Sequence, residues 1–283
     1  MNAAAGRGPG ILADIGPRVA SGVVMIALAL GALWLGGDWF VMFWLACGLA
    51  ILWEWENMVA APSALARVAL GGATLVVVAA LARQQALDMA FPLLLAGCGG
   101  LAWLAGPGKR LWGASGLVYA ASLVVSVTAL RLSLFDGLEA ILWLFAVVWG
   151  TDIMAYFGGR TLGGPKLWPR VSPKKTWSGF LTGVASGALL GVGAVALVHA
   201  TPPQNLGALL LMGLATAVVS QGGDFFESAV KRHFDVKDSS QLIPGHGGFM
   251  DRLDGFVFAA VFAALVGALR QGPGTIAIGV LRW

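Results

Sequence analysis

A chain of 283 residues that is 58% hydrophobic and only 11% charged lies outside soluble globular composition, where roughly a quarter of residues carry charge. The net charge of +4 is spread over short loops with no long basic stripe, which argues against a nucleic-acid partner. Cys47 and Cys98 sit singly in apolar segments, without the spacing of a zinc site or a disulfide framework, and read as small packing hydrophobes.

The 41 glycines suit helices that pack closely in lipid. A membrane β-barrel would need repeated segments of alternating polarity, which the sequence lacks. The fold class expected is therefore all-α: a polytopic helical membrane protein of about nine spans. Residues 1–17 are broken by Gly6, Gly8, Pro9, Gly10, Gly16 and Pro17. The apolar run that follows has no small-residue cleavage site and is read as a retained span. Spans are predicted over 19–37, 39–53, 67–82, 89–106, 111–130, 138–159, 178–200, 206–223 and 254–269. With no linker and no fixed-period repeat, residues 1–283 form one membrane domain. Residues 1–137 are its scaffold, and 138–283 are its chemical half, with polar loops at 160–177 and 223–253.

Loop charge sets the orientation. With nine spans, Arg83, Arg131, Arg270 and Arg282 fall on one side, and the rest of the 18 basic residues fall on the side of the N-terminus. The positive-inside bias places the N-terminus and both polar loops in the cytoplasm, so the expected location is the bacterial inner membrane with its site facing inward.

Three stretches break the apolar pattern. The sixth span ends in a run to Arg160 with Asp152, Tyr156 and Gly159 at helical spacing on one face, and an ionisable group so near hydrocarbon calls for a polar cavity or a partner. Ser172-Pro173-Lys174-Lys175-Thr176 then precedes the seventh span, where free N–H groups at a helix start beside two lysines make an anion site. If the eighth span continues as a helix past Gly223, then Asp224, Glu227, Ser228 and Lys231 share one stripe. Beyond it, the flexible turn Pro244-Gly245-His246-Gly247-Gly248 leads to Asp251, Arg252 and Asp254. Carboxylates flanking a basic, glycine-containing loop suit phosphoryl chemistry: hard oxygens for Mg²⁺, cations and N–H groups for phosphates.

The run Ser228-x-x-Lys231-Arg232-x₄-Lys237-Asp238, followed by Pro244-x-His246-Gly247-Gly248-x-x-Asp251-Arg252-x-Asp254, closely resembles the signature of phosphatidate cytidylyltransferases, also called CDP-diacylglycerol synthases. Gln221-x-Gly223-Asp224-x-x-Glu227-Ser228, the Ser172–Thr176 segment and Asp152-x-x-Ala155-Tyr156-x-x-Gly159-Arg160 are similar to that family too. The likeness is strong over the carboxy-terminal half and extends to the first spans only as hydropathy. Ser178 departs from it, since a glutamate is expected there, and receives no role.

The resemblance implies transfer of CMP from CTP to phosphatidate, with Mg²⁺ and a second cation such as K⁺, in a homodimer surrounded by membrane lipids. Catalytic parts fall to Asp224, Asp251, Lys231 and Arg252, and metal binding to Asp224, Asp251, Asp254 and Glu227. Substrate contacts are expected from Ser172, Lys174, Lys175, Thr176, Arg232, Lys237, Asp238, His246, Gly247 and Gly248, with Asp152, Tyr156, Arg160 and Ser228 in support. An ion-coupled transporter would instead place polar groups at midplane depth in matched halves, whereas these charges crowd one face. A CDP-alcohol phosphotransferase would need a DGx₂ARx₈Gx₃Dx₃D run, which is lacking.

Overall fold

A computed structural model describes residues 11–198, 205–243 and 247–283, with side chains from residue 20 onward. Its helices are α1 (Ile11–Leu35), α2 (Gly37–Val59), α3 (Ala64–Arg83), α4 (Leu87–Ala105), α5 (Arg110–Arg131), α6 (Gly137–Leu162), α7 (Trp177–Val198), α8 (Leu206–His233), α9 (Met250–Gln271) and α10 (Ile276–Leu281). Eight of them, α2 to α9, are long and apolar enough to cross a membrane. The first expected span falls on the shorter apolar stretch Ala20–Leu35 of α1.

The helices exceed the hydropathy windows wherever polar residues find partners. α2 runs on to Val59 because Glu54 and Glu56 are buried and bonded. α8, whose first turn is capped by the Asn205 side chain accepting from Ala208 N at 3.0 Å, continues to His233 and carries the acidic stripe out of the apolar zone. Two features were not expected. Lys166–Trp168 (β1) and Ser172–Thr176 (β2) pair as an antiparallel hairpin between α6 and α7. The short α10 packs back on α9, where Gly267 and Gly279 meet backbone to backbone.

Packing centres on α5, whose Leu117, Leu123 and Val124 are fully buried against neighbouring helices. Trp44 of α2 stacks on Phe256 of α9 with ring centroids 5.0 Å apart. α6 and α7 approach most closely. A Cβ on Gly179, Gly183 or Gly187 would stand 2.7 Å from the carbonyl oxygen of Ala155, Thr151 or Val147, so only glycine fits along this one face of α7. That contact fixes Asp152 of α6 relative to β2, which leads directly into α7.

Bonds between loops sort them into two ends. Lys109 donates to Val59 O and Ala60 O at one end, where Trp112 also stacks on His233. Arg83 pairs with Asp38, and Arg282 with Asp136, at the other. The hairpin and the α8–α9 connection lie at the first end, so the two polar loops share a face.

Candidate active site

The hairpin aims Lys175 at α8. Its Nζ lies 2.5 Å from Asp224 Oδ2 and 3.1 Å from Gln221 Oε1, and 4.6 Å from the Phe225 ring centroid. Gln221 Nε2 in turn donates to Asp152 Oδ1 at 3.2 Å. One polar chain therefore joins α6, β2 and α8: Asp152, Gln221, Lys175, Asp224. Gln221 is 3% exposed and neutral, and links the Asp152 carboxylate to the Lys175 ammonium without adding charge.

Asp224 Oδ1 and Ser220 Oγ are buried without a hydrogen-bond partner. Both face Gly255 at the start of α9, where a Cβ would come within 2.7 Å of Asp224 Oδ1 and 2.6 Å of Ser220 Oγ. Gly223 packs on the Asp254 carbonyl from the other helix, so a glycine on each side lets α8 and α9 cross here. The Asp254 carboxylate accepts from Gly255 N at 2.8 Å and lies within electrostatic reach of Asp224, Glu227 and Asp152. A buried carboxylate oxygen with no donor, beside further carboxylates, is chemically suited to a hard cation.

Asp251 belongs to a second group. Its Oδ1 receives Lys231 Nζ at 2.6 Å, and Lys231 also pairs with Glu227 Oε1 at 2.7 Å. Its Oδ2 accepts from Ser239 N, Ser239 Oγ and Gly248 N at 3.0, 2.9 and 2.8 Å. Both oxygens are thus engaged, and the four carboxylates expected to share a metal do not converge. Among the described residues no three Asp, Glu, His or Cys side chains stand together closely enough to enclose an ion. Whatever holds a metal here needs oxygens from elsewhere, as a Mg²⁺ bound partly by substrate phosphates does.

Glu54, which sequence reasoning passed over, completes this group. It is fully buried in α2. Its oxygens accept from Ser240 Oγ at 2.6 Å, Ser239 Oγ at 3.1 Å, and the backbone N–H groups of Phe249 and Met250 at 2.8 Å each. The N-cap of α9, Phe249, offers no side-chain acceptor of its own, so Glu54 caps that helix from across the bundle. Gly247 adopts φ 87°, and its carbonyl accepts from Ile243 N at 2.8 Å. A Cβ on Gly248 would collide with Ser239 Oγ and the Glu54 carboxylate.

The other expected residues take varied positions. Thr176 is buried, and its hydroxyl accepts from Gly179 N at 3.2 Å, capping α7. Lys174, Arg232, Lys237, Asp238 and Arg252 are exposed, and Ser172 and Ser228 half-buried. Arg252 stands within electrostatic reach of Asp152. Tyr156 and Arg160 are bonded to each other at 2.7 Å on the exposed side of α6. His246 lies outside the described residues. Ser178, where glutamate was expected, donates to Gly163 O and lies 3.1 Å from Thr176 Oγ1, anchoring the hairpin to α7.

A model of the cytidylyltransferase family matches residues 16–269. A phosphatidate cytidylyltransferase from Brucella abortus is 42% identical over 265 residues, covering 93% of this chain and 96% of the relative. Enzymes with the same description from Bacillus subtilis and Staphylococcus haemolyticus are 45% identical over 133 residues and 46% over 123, about half of either chain. With its match running from α1 into α9 and a relative 42% identical over nearly the full length, the chain belongs to the cytidylyltransferase family.

Proposed function

We propose that this protein is a phosphatidate cytidylyltransferase, converting CTP and phosphatidate to CDP-diacylglycerol and pyrophosphate at the cytoplasmic face of the inner membrane. The observation that carries the reading is the pairing of Lys175 with Asp224 beside a buried, unpartnered carboxylate oxygen, in a chain 42% identical over nearly its full length to an enzyme of that name.

An oxygen of the lipid phosphate attacks the α-phosphorus of CTP, and the bond to the pyrophosphate oxygen breaks. A phosphate monoester is largely ionised at neutral pH, so the nucleophile needs no strong base. The work left to the protein is holding two anions together and in line. Lys175, together with the exposed Lys174 and Arg252, supplies positive charge toward the phosphates, and Arg232 and Lys237 extend it along the loop. Lys231 has two of its three donors committed to Glu227 and Asp251, so its first task is to fasten α8 to α9. Asp251 works through the loop it anchors, and the turn at Gly247 and Gly248 brings backbone close to the nucleotide.

Asp224 and Asp254 would hold Mg²⁺, with Asp152 nearby, and the bound ion would neutralise phosphate charge as pyrophosphate departs. A second cation such as K⁺ and a homodimer rest on the family resemblance. Incubation of the purified protein with labelled CTP, phosphatidate and Mg²⁺ tests the whole reading: CDP-diacylglycerol and pyrophosphate should form in equal amounts. No consumption of CTP under those conditions would refute it.

A further inference from the structure

Between α4, α5, α8 and α9 runs a groove of about 560 Å³ with almost entirely apolar walls, formed by residues that include Leu95, Val118, Phe226, Val261 and Leu265. Its size is that of an ordinary ligand site, roughly 300–1,000 Å³. It runs alongside the polar centre: the lining residue Phe226 directly precedes Glu227 on α8, and the lining residue Phe258 follows Asp254 by one turn on α9. At that junction stands Tyr119 of α5, which also lines the groove. The residue is 7% exposed, its ring stacks between Trp55 and Phe226 at 5.5 and 6.1 Å, and its hydroxyl has no hydrogen-bond partner. The hydroxyl also lies within electrostatic reach of Asp254, Glu227 and Asp224.

A buried hydroxyl without a partner is destabilising, and phenylalanine would pack the same rings without that cost. The lone donor marks a place for an acceptor, set between a carboxylate centre and an apolar trough. A phosphatidate molecule has that order of groups: phosphate, then ester carbonyl, then hydrocarbon chain. We infer that the groove holds one acyl chain of the reacting phosphatidate, with the Tyr119 hydroxyl donating to an ester carbonyl at its head. The inference rests on the phosphatidate reading above. Ser115 and Ser122 do not compete for the carbonyl, since each hydroxyl donates to a backbone oxygen within α5.

The full-length protein in detergent, at saturating Mg²⁺, would be assayed with dioleoyl and dihexanoyl phosphatidate. Val261→Phe narrows the groove and should lower kcat/KM for the dioleoyl substrate at least about tenfold more than for the dihexanoyl one. Tyr119→Phe should raise KM for both phosphatidates roughly 3- to 10-fold, the worth of one hydrogen bond, while KM for CTP stays put. Equal losses on both chain lengths, or a matching rise in KM for CTP, would overturn the assignment and make the groove a seat for bulk lipid. Should Val261→Phe fail to fold, Val118→Phe narrows the groove from the opposite wall and is read the same way. Wild-type protein that turns over neither lipid would instead sink the phosphatidate reading, which separates the two failures.

Discussion

Glu54 of α2 accepts the backbone N–H of Met250, 196 residues further along the chain, at 2.8 Å. The same carboxylate holds Phe249 N and two serine hydroxyls, and it is fully buried. The start of α9, and with it Asp251 and Asp254, is therefore positioned by a residue of the amino-terminal half. Glu54→Gln keeps the shape but presents an NH₂ to a site built only of donors. We predict a loss of about 1–3 kcal/mol in stability, with Glu54→Asp, one methylene shorter, recovering part of it. Thermal unfolding of the purified variants is the check, and a Gln variant as stable as wild type would show that the cap contributes little.

Asp224→Asn and Asp251→Asn should both lower activity, for different reasons. Asp224 offers a free buried oxygen, so its loss is predicted to cost at least about 100-fold in kcat and to leave the fold intact. Residual activity should need more Mg²⁺. Asp251 has both oxygens committed to the loop and to Lys231, so Asp251→Asn should destabilise by about 1.5–3 kcal/mol. Its Mg²⁺ requirement should not move. Titrating Mg²⁺ against the two variants separates the roles, and identical shifts would return Asp251 to the metal.

Gly183→Val tests the α6–α7 contact. A Cβ there would press on the Thr151 carbonyl and, at 2.8 Å, on the Ala155 methyl, and neither can swing aside. Destabilisation of about 1–3 kcal/mol or more is expected, with loss of monodisperse protein on gel filtration. Gly193→Val, on the same helix but with open space around it, is the matched control and should purify normally.

Ser178→Glu restores the residue expected from the family pattern yet removes a donor. Ser178 now bonds Gly163 O, and a carboxylate cannot. The prediction is a mild fall in activity, roughly 2- to 10-fold, measured as CTP turnover at saturating phosphatidate. A gain in activity would show that the serine is a deficit and the hairpin anchor dispensable.

The spans were legible because hydrophobicity over about 20 residues needs no partner to be read, and the acidic stripe of α8 followed from helical spacing alone. Glu54 was not legible. It lies in Trp53-Glu54-Trp55-Glu56, where a carboxylate at the end of a span looks like an interfacial charge, and its partners are at least 185 residues away. The hairpin was hidden because Gly163, Gly164, Pro165, Pro169 and Pro173 signal turns, and two short strands add little periodicity between them. Spacing placed Asp251 and Asp254 as neighbours on one turn. It could not show that Lys231 and Ser239 claim the first and leave the second beside Asp224.

The glycine face of α7 bears on movement. Where α6 and α7 meet through their glycines, with Thr151, Thr182 and Leu190 reaching across, little side-chain repacking is available, and the two helices are expected to shift as a pair. Asp152 and Lys175 then belong to one stiff half of the site. Substrate entry and product exit must be accommodated by the opposing half, where α8 and α9 are joined through a loop held by side-chain bonds that can break and re-form one at a time.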